Sequence, residues 1–245
     1  MKKFISVILM MSCVVMLMAC GKKEEKTTLT MATNAEFPPY EFYDGDEIVG
    51  IDAEIAAAVA KSMGLELKIE DMAFDSIIAA VSSGKADIGL AAMTVTKSRE
   101  KNVDFSDTYA KATQVIIVKN GSTVASPDDL EGKKIGVQLG TTGDVYAADI
   151  KDADVERFNK GFEAVQSLTQ DKIDAVIIDT EPAKEFVASA EGLSILDEAF
   201  TEEEYAIAVK KGNKELLDDI NDALQSLQKS GELDKIVAKY IKADE

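Results

Sequence analysis

Histidine and tryptophan are absent from the 245 residues, cysteine occurs twice and proline four times. Without histidine, imidazole-based catalysis and metal binding are excluded. Two cysteines, Cys13 and Cys20, are too few for a zinc cluster or a disulfide-stapled scaffold. Positive charge is also scarce, with 27 Lys and Arg against 45 Asp and Glu for a formal net charge of −18. A chain this acidic repels phosphate backbones and anionic headgroups, so no nucleic-acid partner is expected unless the few lysines gather in one patch. What is present, 46% hydrophobic and 29% charged residues with 15 glycines, is the composition of a folded protein with a real core.

Only one long apolar run occurs. Lys2 and Lys3 precede Phe4 to Cys20, a stretch broken only by Ser6 and Ser12. A spanning helix needs about 20 apolar residues, whereas a signal peptide needs a basic start and an apolar run of roughly 7 to 15. The second pattern fits better, and an uncleaved anchor helix is the alternative. The end of the run, Leu17-Met18-Ala19-Cys20-Gly21, resembles the lipobox of bacterial lipoproteins, in which cleavage before the cysteine exposes it for lipid attachment. We therefore expect a signal peptide over 1–19 and a lipidated Cys20 that begins a polar tether over 20–27. The mature chain would then sit outside the cytoplasm, anchored to the cell membrane.

From Leu29 onward short apolar runs alternate with helical patterns, which argues for βα units. Strands are predicted at LTMAT (29–33), LELKIE (65–70), ADIGLAAM (86–93), QVIIV (114–118), KKIGVQL (133–139), IDAVIID (173–179), LSIL (193–196) and YAIAVKK (205–211). Ile51 to Met63, with Ile55, Val59 and Met63 four apart and Gly64 beyond, predicts a helix with a glycine stop. Ile77, Ile78 and Val81 mark a second helix, ended by Gly84. Further helices are expected after Gly143, around 162–169, over 182–190 and in two amphipathic stretches after residue 214. SPDDL at 126–130 supplies a serine cap with proline in the first turn.

Four places carry residues suited to a polar ligand. Thr94, Thr96 and Arg99 follow the 86–93 run, at a strand end where open α/β sheets bind ligands. Arg99 can clamp a carboxylate with two parallel hydrogen bonds, or pair with Asp104 or Asp107 on the surface. The Gly140-Thr141-Thr142-Gly143 loop, between a strand and a helix, points amides at a small anion or is a tight turn with a threonine cap. It lacks the glycine spacing and the lysine of a nucleotide loop, so no cofactor is expected. Asp179, ending an apolar strand, holds an ammonium group or caps the helix that follows. Phe37, in a loop stiffened by Pro38 and Pro39, and Phe74 sandwich a side chain or pack into the core.

Taken together, TNAEFPPYEF, VGIDAEIAAAVAKSMG, AAMTVTKSREKNVDFSDTY, GVQLGTTGD, IDAVIIDTEPA and AIAVKKGNKELLDDINDALQSLQKSGELDKI resemble the polar amino-acid solute-binding proteins of ABC importers across the mature chain. The resemblance implies an α/β, two-lobed type II periplasmic-binding fold, each lobe a central sheet flanked by helices, joined by two hinge strands. It implies a first lobe over 28–110, a second over 111–207 and a return to the first over 208–245. It also implies that Arg99, the Thr94 hydroxyl and the amides around Thr141 and Thr142 hold the ligand carboxylate. The ammonium would meet the Ala92 carbonyl, Thr94 and Asp179, with Met93 in the same site. Phe37 and Phe74 would stack the side chain, and Asn34, Glu36 and Gln138 would choose among side chains. Relatives selective for cationic ligands often carry Asp at the position of Asn34; here Glu36 or Asp75 would have to supply that charge. The implied partners are an amino acid and an importer permease, the expected state is a monomer, and neither a metal nor catalysis is expected. The alternative is an enzyme on the same fold, resembling cyclohexadienyl dehydratase, with Glu36 or Asp75 as general acid. No membrane or kinase segment follows Glu245, so a self-contained sensor is not expected.

Overall fold

The structure is a computed structural model and describes residues 27–242. The expected signal peptide, Cys20 and all of the tether but Thr27 lie outside the described residues. A nine-stranded mixed sheet runs in the order β5 (Glu66–Asp71), β1 (Thr28–Thr33), β6 (Ile88–Gly89), β12 (Thr201–Lys210), β7 (Val103–Lys119), β10 (Ala175–Asp179), β8 (Lys134–Gln138) and β9 (Asp154–Phe158). A short β11 (Leu193–Ile195) pairs with β7 off this path. The pairs at the two ends, β1 with β5 and β6, and β8 with β9 and β10, are parallel. Antiparallel ladders from β6 through β12 and β7 to β10 join them. A separate three-stranded sheet, β2 (Glu36–Phe37), β3 (Glu41–Asp44) and β4 (Glu47–Val49), follows β1.

Helix periodicity decides most of the rest. The first helix, α1 (Ile51–Ser62), buries Ile51, Ile55 and Val59 on one face, as their four-residue spacing requires. α2 (Phe74–Ser83) buries Phe74, Ile77 and Val81 and ends at Gly84 in the left-handed conformation. α3 (Thr142–Asp149), α4 (Gly161–Thr169) and α5 (Thr180–Ala188) flank the strands of the middle segment. α6 (Lys214–Ser230) and α7 (Glu232–Tyr240) meet at Gly231, and α7 returns to α1, where the Tyr240 hydroxyl donates to Glu54 at 2.7 Å. Ser126 caps a short 3-10 turn, Pro127–Leu130, in a capping box with Asp129.

Several expectations are corrected. Only Ile88 and Gly89 of the 86–93 run form ladder pairs, because Ala92 takes a left-handed φ of 46° and turns the chain out of the sheet. The strand predicted at 114–118 is the inner end of a 17-residue strand whose first part is polar and only partly buried, which hides its periodicity. The strand predicted from Tyr205 begins at Thr201. The small sheet and β9, mostly exposed or partly buried, gave no apolar signal.

Gly50 joins the small sheet to α1 with φ 125°, and a Cβ there would lie 2.2 Å from the Tyr40 carbonyl oxygen. Backbone cannot move aside as a flexible side chain can. Gly50→Ala is therefore expected to destabilise the fold by on the order of 3 kcal/mol or more, measured by denaturant titration. A loss under about 1 kcal/mol would show that this junction is soft.

Candidate functional site

Strand ends from both parts of the sheet open onto one narrow cavity. Its wall comprises Asn34, Phe37, Glu41, Phe74, Ala91, Ala92, Thr94, Arg99, Gln138, Thr141, Thr142 and Asp179. Residues from 34 to 99 thus face residues from 138 to 179 across the space. Contacts span the two sides: Gln138 Nε2 donates to Asn34 Oδ1 at 2.8 Å, and the Arg99 guanidinium donates to the Gly140 carbonyl at 3.0 Å.

Arg99 begins a short 3-10 turn, Arg99–Lys101, after the chain has left β6. Its guanidinium also donates to the Thr94 carbonyl at 2.7 Å and stands 5.3 Å from the Phe74 ring centre. Both acceptors are neutral main-chain carbonyls, so the bonds orient the cation without neutralising it. The surface-pair alternative does not hold. The Asp104 carboxylate accepts from the Gly212 amide and pairs with Lys211, while the Asp107 carboxylate accepts from Gln225. Burial lowers the Arg99 pKa, and the nearby Glu203 and Asp179 carboxylates oppose that shift.

Asp179 closes β10 and stands at the N-cap of α5, but its side chain makes no capping bond. It accepts instead from the buried Tyr205 hydroxyl. Burial pushes its carboxyl up to about 7; the bond from Tyr205 opposes the shift and Glu203 adds to it. The sign follows directly. With a folded pKa near 7 against an ordinary 3.8, this group's contribution to stability is full below about 3.8 and is lost as pH rises through about 7.

The Gly140 to Thr142 loop is both cap and wall. Thr141 Oγ1 accepts from the Asp144 amide at 3.3 Å and donates to the Gln138 carbonyl at 2.8 Å. Gly140 needs its glycine because φ is 80° and an added Cβ would lie 3.0 Å from Asp75 Cβ. Phe37 and Phe74 are buried and also line the cavity.

Two expected residues stand elsewhere. Glu36 pairs with Lys160 and is not in the cavity wall. The Met93 side chain is fully buried in a cluster with Phe74, Ile77 and Val81. Asp75, the other expected source of negative charge, is exposed and outside the wall. Sequence reasoning missed Glu41 and Glu203. Glu41 lines the cavity; burial and neighbouring Asp52 raise its pKa well above the usual carboxyl range. Asp52, raised by burial to about 7, accepts from the Ala92 amide at 2.7 Å and the Tyr109 hydroxyl at 2.9 Å, and so fixes the Ala92 turn. Glu203 is buried two residues before Tyr205 on β12, a phase that strand alternation could have shown.

Asp179→Asn should raise the thermal midpoint of the ligand-free protein at pH 8 and leave it nearly unchanged at pH 4, because the amide resembles the protonated acid. Equal effects at both pH values, read by differential scanning calorimetry, would show that this carboxyl does not titrate as described.

The family model for bacterial extracellular solute-binding proteins, family 3, matches residues 29–243. The arginine-binding extracellular protein ArtP of Bacillus subtilis (strain 168) is 37% identical over 252 residues, covering 98% of each chain. A solved ancestral arginine-binding protein bound to arginine superposes with a TM-score of 0.84 at 43% identity, covering 88% of this chain and 99% of that one. An ancestral arginine-binding protein bound to glutamine gives 0.83 at 42% identity, covering 90% and 100%.

Proposed function

The chain belongs to the bacterial extracellular solute-binding proteins, family 3, and from that premise we propose that its cavity captures one L-amino acid, arginine first and glutamine second. It is an extracytoplasmic amino-acid-binding protein of an ABC importer on the two-lobed periplasmic-binding fold, and not an enzyme. The two groups considered as general acids support that reading, since Glu36 is engaged by Lys160 and Asp75 is not in the cavity wall.

The observation that carries the proposal is that Arg99 and Asp179, of opposite charge, line the same cavity without bonding to each other. A zwitterion loses hydration at both ends on entry, which costs several kcal/mol unless each end meets an opposite charge. Arg99, with the amides around Thr141 and Thr142, takes the carboxylate. Asp179, the Ala92 carbonyl and Thr94 take the ammonium. Phe37 and Phe74 flank the side chain, and a guanidinium is favoured between ring faces. Glutamine follows because the neutral Asn34 and Gln138 amides suit an amide side chain.

In this reading residues 28–110 and 208–245 form one lobe and 111–207 the other, with β7 and β12 as the hinge. The ligand bridges the lobes, and its differential affinity for the closed form lets a permease sense occupancy. The protein acts as a monomer. Cys20, acylated after cleavage behind Ala19, holds it at the membrane through residues 20–27.

Thermal shift tests the ligand. At a hundred times its dissociation constant a bound amino acid adds about 2.7 kcal/mol of stability. L-arginine should raise the midpoint most, and Arg99→Ala should abolish the rise while keeping the fold by circular dichroism. No response to any of the twenty amino acids would defeat the proposal. Cys20→Ala should move the protein from the membrane fraction to the soluble extracytoplasmic fraction; continued membrane retention would remove the lipid anchor.

A further inference from the structure

Glu203 accepts four side-chain hydrogen bonds. Its Oε2 accepts from the Thr94 hydroxyl at 2.8 Å, the Thr142 hydroxyl at 2.9 Å and Gln114 Nε2 at 3.2 Å. Its Oε1 accepts from the Tyr146 hydroxyl at 2.9 Å. Glu203 is only 6% exposed and does not itself line the cavity. Thr94 and Thr142 do line it, from opposite sides, so one carboxylate on β12 holds a hydroxyl from each.

A hydroxyl carries one hydrogen and two lone pairs, and a carboxylate only accepts. Where Thr94 and Thr142 meet the carboxylate of Glu203, their single protons are committed to it. What remains is lone pairs, both on Thr94 Oγ1 and one on Thr142 Oγ1, whose other lone pair accepts from Gln114 Nε2 at 3.4 Å. Such oxygens repel a ligand carboxylate and attract an ammonium group. We propose that Glu203 is a positioning residue that sets the polarity of these two hydroxyls and thereby makes the site demand an α-ammonium group. The inference rests on the amino-acid reading above and narrows it. Thr94 Oγ1 serves the ammonium end alone, leaving the carboxylate to Arg99 and backbone amides. Glutamine in place of Glu203 removes the negative charge, and its amide nitrogen, when turned toward the threonines with the oxygen toward Tyr146, frees their protons to point into the cavity.

The test compares each amino acid with the analogue lacking only its ammonium group: L-arginine with 5-guanidinopentanoate, and L-glutamine with glutaramate. Binding is measured by calorimetry on the parent, Glu203→Gln, Thr94→Val and the double variant. The parent should prefer the amino acid over its analogue by about 100-fold or more, and Glu203→Gln should narrow that preference roughly tenfold, the size of one charge-assisted hydrogen bond. Thr94→Val should narrow it likewise, and adding Glu203→Gln to it should change the preference much less. Should Glu203→Gln not fold, Glu203→Asp, which withdraws the carboxylate by one methylene, takes its place with the same expectation. Equal weakening of amino acid and analogue, or an unchanged preference, would reduce Glu203 to a structural role and overturn the inference. A parent that binds neither amino acid overturns the ligand reading itself, and the inference falls with it.

Discussion

Two side chains of opposite charge type that line one cavity without bonding to each other are the constraint around which this site is arranged. Arg99 is held by the carbonyl oxygens of Thr94 and Gly140, and Asp179 by the hydroxyl of Tyr205. None of these holders carries an opposite charge. Each group is oriented without a direct ion pair, and burial in that state costs stability. The raised pKa of Asp179 is the visible part of that cost. Under the proposed function, a salt bridge between the two would leave nothing for a zwitterion to do.

The surrounding network keeps these ions in place. Ala92 turns the chain out of β6 at a positive φ, and Asp52 secures that turn through the Ala92 amide while bonding to Tyr109. Glu203 gathers hydroxyls from both sides of the cavity. Arg99 crosses from its own turn to Gly140 in the opposite loop. The α/β scaffold brings these loops together because they all follow strand ends.

Much of the scaffold was legible because burial imposes a period. The fully buried β10 and the α1 face of Ile51, Ile55 and Val59 announce themselves, and Gly84 marks the end of α2 by its conformation. The polar half of β7 was not, since its exposed and partly buried positions break the alternation, and β9 likewise has little buried surface. Within the cavity, Arg99, Asp179, Thr94 and the Gly140 to Thr142 loop were readable from residue type at strand ends. Glu36 was misplaced because nothing local reveals that Lys160, 124 positions away, would claim it. Glu203 was hidden among three consecutive glutamates, and only the register of β12 singles it out from Glu202 and Glu204.

The β7–β12 ladder is irregular where Tyr205, Ala206 and Ala208 meet their partners, and Tyr205 is the residue that grips Asp179. The ladder is therefore interrupted beside the residue that holds Asp179, where the loss of regular pairing leaves the two long strands free to twist more sharply than elsewhere along their length.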